Sequence, residues 1–283
     1  MIDEPLLALA LFLGGMAAAG VPLGLLLRQV RRHAEARADL FASISHDIRT
    51  PINGVIGFAD LLRRQGALTP AQTASVEHIA QSGQTMVRLL NDILDFTRAE
   101  AGRLTLDMGE VRLHDELAYC TAMFAPRAAE KGIALTCSID PAVPVLIAGD
   151  ALRLRQVLLN IIGNAVKFTD CGHVHVQARA EPGALATQLS IEVADTGIGI
   201  APAAMRHIFE RYRQADAGIA RSHGGAGLGL AICAQLVRLM DGWIDAVSRE
   251  GTGSSFIVHL PVRVLADTAA SSPVNKQPEL RAA

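Results

Sequence analysis

The segment Ser45-His46-Asp47-Ile48-Arg49-Thr50-Pro51 sets an imidazole directly before a carboxylate. On a helix His46 stands two positions from Ile44 and from Ile48, about 200° around the axis from each, so it faces water while they face the core. A displayed imidazole next to Asp47 is equipped for nucleophilic work. The carboxylate accepts or orients a proton on one ring nitrogen and leaves the other to attack. Thr50, four residues on, shares the histidine's face. Pro51 cannot donate to the carbonyl of Asp47, which loosens the helix beside the pair. An exposed His-Asp pair alone is often just a solvated face; its weight comes from three further motifs later in the chain.

In Asn160-Ile161-Ile162-Gly163-Asn164-Ala165-Val166-Lys167-Phe168, the i, i+4 spacing puts both amides on one helical face, with Lys167 three beyond. Amide oxygens are hard ligands that suit Mg²⁺, and a nearby lysine can meet phosphate charge; a plain polar stripe is the bland alternative. Asp195-Thr196-Gly197-Ile198-Gly199-Ile200 follows an apolar strand. A carboxylate at a strand end can accept a hydrogen bond from an exocyclic amine such as adenine N6, and glycines let backbone approach a planar base. Lastly, Gly224-Gly225-Ala226-Gly227-Leu228-Gly229-Leu230 opens a helix. Its exposed N–H groups and positive dipole end form a phosphate cradle. It is neither a Rossmann fingerprint, since no βαβ unit surrounds it, nor a P-loop, since no Gly-Lys-Ser/Thr closes it.

Elements must hold these groups in place. The 283-residue chain is 50% hydrophobic and 19% charged, enough apolar side chain for a sizeable core. Its net charge of −2 offers no basic surplus and argues against nucleic acid as a partner. Cys120, Cys137, Cys171 and Cys233 lie far apart, which fits reduced, mostly buried thiols. His173 and His175 share a strand face but have no third ligand in sight for a metal. Residues Leu6 to Leu27 contain no charge. As a helix they span roughly 33 Å, enough for a bilayer core. Asp3 and Glu4 precede the segment, and Arg28, Arg31, Arg32 and Arg37 follow it, which predicts the remainder on the cytoplasmic side.

Apolar residues at spacings of three and four predict a helix from Arg28 to about Arg64 and a second to about Glu100. Thr69 is its N-cap, Pro70 its first residue and Gly102 its stop. One hairpin cannot enclose a core, so two chains are expected to associate as a four-helix bundle. Beyond Gly102, short runs (Arg103–Leu106, Ile133–Ile139, His173–Ala180, Leu185–Ala194, Trp243–Ser248, Ser255–Leu260) alternate with helices near His114–Lys131, Ala151–Phe168 and Gly227–Met240. The expected fold class is α+β: a transmembrane helix, a dimerising helical hairpin, then a two-layer α/β sandwich. The expected domains are an anchor over 1–27, the hairpin over 28–101, the sandwich over 102–264 and a disordered Ser/Pro-rich tail over 265–283.

The motifs together resemble the histidine kinases of two-component signalling, in order and in spacing. Ser45–Gly57 is similar to the family's H-box, Asn160–Thr169 to its N-box and Asp195–Ile200 to its first glycine box. Phe209–Asp216 resembles the F-box, Gly225–Leu230 the second glycine box and Gly251–Phe256 the closing strand motif. The likeness runs from about residue 38 to 262. It implies His46 as phosphoacceptor, Asp47 as its general base, and Thr50 as the residue orienting water when the enzyme dephosphorylates its regulator. It implies Mg²⁺ on Asn164 with Asn160 assisting, phosphate on Lys167, and the ATP adenine on Asp195, Gly197 and Gly199. A lid from about Met205 to Gly225 and the glycines Gly225, Gly227 and Gly229 would close over the phosphates. The partners implied are a second copy of the chain and the receiver domain of a separate response regulator, with a single-pass inner-membrane location.

Two departures stand out. Ala226 replaces the usual Thr or Ser, and Asp47 the commoner Glu. No extracytoplasmic sensor, no input domain between Leu27 and Asp39 and no receiver after Pro261 is evident. Three rival readings compete. In a gyrase- or Hsp90-like ATPase a glutamate would stand at Asn160 to activate water, which an amide cannot do. The others are a catalytically weak ATP-binding scaffold and a phosphatase-dominant member of the family.

Overall fold

The computed structural model describes residues 23–66, 68–183, 186–210 and 229–266. The expected membrane span therefore falls mostly on residues 1–22, outside the described part; among the described residues no helix is long and apolar enough to cross a membrane. The chain divides into two compact units, Met1–Leu104 and Thr105–Ala283.

Among the described residues the first unit is a pair of helices, α1 (Leu23–Arg64) and α2 (Pro70–Glu100). The Thr69-Pro70 start forms a full capping box: the Thr69 side chain accepts from Gln72 N–H, and the Gln72 side chain accepts from Thr69 N–H at 2.9 Å. At the far end Gly102, at φ 66°, reverses the chain, and its N–H donates to Ala99 O at 3.0 Å. The seam between the helices buries Ser45, Ala59, Val76 and Leu94. It is narrow because α2 approaches closely at Gly83, where a Cβ would lie 2.6 Å from Ile56 Cγ1. The apolar positions expected to be core are only half satisfied. Ile44 and Ile48 remain 40% and 37% exposed, and Phe58 reaches 71%. Two helices can cover only one stripe of each other, so the rest of each apolar face stays open.

The second unit is a seven-stranded mixed sheet with helices packed on one face, a two-layer α/β arrangement. In chain order it comprises β1 (Gly109–Arg112), α3 (Leu113–Ala122), α4 (Ala125–Lys131), β2 (Ala134–Ile139), β3 (Leu146–Gly149), α5 (Ala151–Phe168), β4 (His173–Glu181) and β5 (Thr187–Asp195). The short α6 (Pro202–Met205), α7 (Gly229–Leu239), β6 (Trp243–Arg249) and β7 (Gly253–Ala266) are the remaining elements among the described residues. Strand order is β1-β3-β7-β5-β4-β2, with β6 also on β7; the β2–β4 pair is parallel and the others antiparallel. β4 alternates buried and outward residues, with Val174, Val176 and Ala178 fully buried against the helical layer. From α5 come Val157, Leu158, Ile161, Ile162 and Val166, and from α7 Ile232, Leu236 and Val237. Each large apolar side chain so buried contributes roughly 1.5–3 kcal/mol.

Several sequence expectations shift. No strand forms over Arg103–Leu106; Leu104 is buried in the first unit, where Arg103 pairs with Asp39. The first strand comes later because its partner β3, Leu146–Gly149, aligns only with Gly109–Arg112. The long helix expected over His114–Lys131 breaks into α3 and α4 around Met123-Phe124, ahead of Pro126. The sheet also runs two residues into the expected tail, since Ala266 pairs with Leu146. Of the four cysteines Cys120 and Cys233 are buried, but Cys137 and Cys171 are exposed; all are free thiols.

Gly83→Val should cost about 1–3 kcal/mol of hairpin stability through overpacking against Ile56. Urea unfolding followed by far-UV circular dichroism checks this, and an unchanged midpoint would contradict the close approach.

Candidate functional site

The hairpin presents His46 on the open side of α1, with its side chain 79% exposed. Asp47 Oδ1 faces Nδ1 at 3.6 Å, which leaves Nε2 as the nitrogen on the far side of the ring. Thr50 lies one turn on and its hydroxyl donates to the His46 carbonyl at 3.3 Å. Pro51 lies within the continuous helix, so the Asp47 carbonyl has no i+4 donor. On the other side of His46, Ser45 is buried, while Arg49 donates to Asn91 Oδ1 of α2 at 2.8 Å. The imidazole is thus held out to solvent on a helix anchored at its flanks, accessible for an in-line nucleophilic attack.

The second unit builds a cradle from three backbone elements. The first is α5, started by Asp150, whose carboxylate accepts from Arg153 N–H at 3.0 Å and from Asp107 N–H at 2.9 Å. A two-toothed bridge fixes the helix to α3: Arg155 donates to both Glu116 oxygens at 2.8 and 2.6 Å and stacks over Tyr119. Asn160 and Asn164 project from one face of α5, half-buried, with Asn164 Nδ2 3.4 Å from Asn160 Oδ1. Lys167 Nζ sits 4.7 Å over the Phe168 ring. Burial first, and then the Arg127 charge, hold its ammonium below the usual lysine range.

The second element is the loop after β5. Asp195 Oδ1 accepts from Gly197 N–H at 2.8 Å and from Ser254 N–H at 3.3 Å. Burial pushes the Asp195 carboxyl above its ordinary range, and the Gly197 and Ser254 amides oppose that shift. Gly197 is required by close approach, because a Cβ there would lie 2.4 Å from Phe168 O. Gly199, at φ 66°, backs onto the β6–β7 turn, where a Cβ would meet Arg249 O at 2.1 Å. The third element is the start of α7, where a Cβ on Gly229 would meet Asn160 Oδ1 at 2.4 Å. The structure therefore brings Asn160, Asn164 and Gly229 together, and sets Asp195 and Gly197 at the end of the same helix α5, with Gly199 beside them against the β6–β7 turn. Gly225 and Gly227, and the F-box and lid from residue 211 onward, lie outside the described residues.

Sequence reasoning does not find the ties that fix the loop. The Thr196 hydroxyl accepts from His173 N–H at 2.9 Å, and Ser248 Oγ accepts from Ile200 N–H at 2.8 Å. Ser254 is visible in the sequence only as part of a closing strand motif, with nothing local to link it to Asp195. Of the two histidines on β4, His175 has both ring nitrogens engaged, by the Thr136 and Ser138 hydroxyls at 2.8 and 3.0 Å. Among the described residues no group of three or more His, Cys, Asp or Glu could hold a metal. Hard oxygen donors for a cation in the cradle are the Asn160 and Asn164 amides, a sparse set that suits a hydrated Mg²⁺ also bound by phosphates.

Residues 36–102 match the family described as the His Kinase A (phospho-acceptor) domain. Residues 149–264 match the histidine kinase-, DNA gyrase B- and HSP90-like ATPase family. The chain belongs to the two-component histidine kinase family. Among its relatives in that family, the signal transduction histidine-protein kinase BarA of Escherichia coli (strain K12) is 37% identical over 262 residues, 92% of this chain. The autoinducer 2 sensor kinase/phosphatase LuxQ of Vibrio cholerae is 36% identical over 241 residues, 84% of this chain. The chain spans only 28% of the length of either curated relative. A solved structure, full-length ShkA in complex with AMPPNP, superimposes with a TM-score of 0.67 at 38% identity, over 81% of this chain and 46% of that one.

Because the Asp195 pKa is raised on folding, its protonation favours the folded domain: that stability is present at low pH and lost as pH rises through the raised value. The parent should therefore lose stability relative to Asp195→Asn as pH climbs through that window. Urea midpoints of both proteins across pH check this, and parallel profiles would contradict it.

Proposed function

We propose that this chain is an ATP-dependent protein-histidine kinase that phosphorylates His46 and passes the phosphoryl group to an aspartate of a separate receiver domain. The observation that carries the reading is the pairing, in one chain, of a solvent-displayed His46–Asp47 with a cradle of Asn160, Asn164, Asp195 and Gly229. Nε2 of His46 attacks the γ-phosphorus, a N–P bond forms as the bond to ADP breaks, and Asp47 holds the proton on Nδ1. Asp195 accepts from the adenine amine, with Gly197 and Gly199 giving the base room. Asn160 and Asn164 would hold Mg²⁺, which when bound would neutralise phosphate charge. Lys167 meets the phosphates, and Gly225, Gly227 and Gly229 offer backbone N–H groups to them. Transfer requires the nucleotide unit to present its γ-phosphate in line with Nε2, and such positioning supplies much of phosphoryl-transfer catalysis. When the enzyme acts as a phosphatase, Thr50 orients water against the aspartyl phosphate of the receiver, releasing the carboxylate and inorganic phosphate.

Homodimerisation follows from the uncovered apolar face of the hairpin, where Leu40, Val55, Phe58, Leu62, Ile79 and Met86 are all exposed in the single chain. A second hairpin would complete a four-helix bundle. The uncharged run from Leu6 to Leu27 and the arginines after it support a single-pass anchor in the inner membrane with the catalytic part cytoplasmic.

With labelled Mg-ATP the parent should acquire an acid-labile, base-stable label that His46→Gln and Asn164→Ala both lose. A parent that binds nucleotide but stays unlabelled would displace the kinase reading in favour of a scaffold or a phosphatase-dominant member. Asp195→Asn should weaken ATP binding about ten-fold or more, roughly 1.4 kcal/mol. The amide oxygen would stay on the Gly197 and Ser254 N–H groups and turn its NH₂ toward another donor. Calorimetric titration checks the loss.

A further inference from the structure

We propose that Lys131 is a positioning residue for the nucleotide site: its ammonium clamps the C-terminus of α5 and thereby fixes the carbonyl on which the Asp195 loop rests. The inference rests on the nucleotide-binding reading above and adds to it a residue outside every motif.

Lys131 is the last residue of α4, and Gly132, at φ 68°, turns the chain away directly after it. The side chain reaches across to α5. Its Nζ donates to Lys167 O and Thr169 O at 2.8 Å each, and lies 3.1 Å from both Val166 O and Asp170 Oδ1. An ammonium has three N–H groups, so these acceptors share them. The last carbonyls of a helix lack intrahelical partners and carry the negative end of its dipole, so a cation there satisfies both demands. The lysine side chain is 25% exposed, against 70% for Asp170, so the ion pair is the wet part of the contact and the carbonyls are the sheltered part.

The grip brackets Phe168, whose carbonyl accepts the Ile198 N–H at 3.3 Å and crowds Gly197. The turn after α5 is held from its other side by Thr196, whose hydroxyl accepts from His173 N–H at 2.9 Å and lies 3.4 Å from Cys171 O. Lys131 and Thr196 therefore pin one turn between them. A shift in the last turn of α5 moves Phe168 O, and with it Ile198, Gly197 and the Asp195 carboxylate. Lys131 acts through this backbone and not by touching nucleotide.

The test measures Mg-ATP affinity and melting temperature on the full chain for the parent, Lys131→Met, Lys131→Arg, Lys131→Gln and Asp170→Asn. The Met variant keeps length and loses every donor; at a temperature where it is fully folded, it should bind about ten-fold or more weakly. Lys131→Arg, which keeps a cation and its donors, should recover most of that loss. Asp170→Asn, which leaves the carbonyl contacts intact, should stay within about two-fold of the parent. Parental affinity in the Met variant, with or without a lower melting temperature, would make Lys131 merely structural and overturn the proposal. Should the Met variant not fold, parental affinity in Lys131→Gln overturns it equally. An Asp170→Asn loss as large as that of the Met variant would assign the effect to the surface ion pair, also against the proposal. A parent that binds no nucleotide removes the underlying reading, and is recognised before any variant is compared.

Discussion

The second unit turns on a contact between backbones. The loop after β5 rests on the carbonyl end of α5 so closely that Gly197 has no room for a side chain beside Phe168 O. A helix that ends in open solvent frays, and a loop resting on a frayed end would have no defined geometry. Here the end is satisfied: Lys131 and the Thr169 hydroxyl, which donates to Ala165 O at 2.8 Å, take up its carbonyls. The buried face of α5 presses it onto the sheet, and the Arg155–Glu116 bridge sets its rotation. Asn160 and Asn164 inherit their direction from that rotation and Asp195 its position from the helix end, so one rigid rod places groups that lie far apart in the chain.

The hairpin obeys a different constraint. Its helices touch along a thin seam, with Gly83 against Ile56, and much of the apolar surface off that seam is exposed. This makes the helix that carries His46 well anchored at a few points and unsupported between them. Pro51 removes one more bond just beyond His46. The arrangement leaves α1 free to adjust locally around the histidine without losing the hairpin.

Legibility in the sequence tracks interaction range. Thr69 and Pro70 signal a helix start within two adjacent residues, and the structure adds Gln72 to complete a capping box there. Asn160 and Asn164 share a face because one helical turn dictates it. The Ser254 N–H that seats Asp195 comes from 59 residues away, and no periodicity announces it. Pattern alone misplaces strand β1 for the same reason. Arg-Leu-Thr-Leu over residues 103–106 has the alternation of a strand, but pairing is decided by a partner, and β3 offers its edge to Gly109–Arg112. Likewise the helical period marks Ile44 and Ile48 as apolar face without saying how much of that face one neighbouring helix could cover.

Strand β7 carries a consequence for synthesis. It sits in the middle of the sheet, bonded to β5 and β6 along its first part and to β3 at its end, yet among the described residues it is the last strand in chain order. Without it, β1–β3 and β5–β4–β2 are separate fragments and β6 has nothing to pair with. The emerging polypeptide can form α5 and its neighbours while still on the ribosome, but the sheet closes only after residue 266 has cleared the exit tunnel. Until then the apolar undersides of β4 and β5 and the buried face of α5 have only part of their cover. The growing chain therefore exposes this surface during translation, when chaperones meet it.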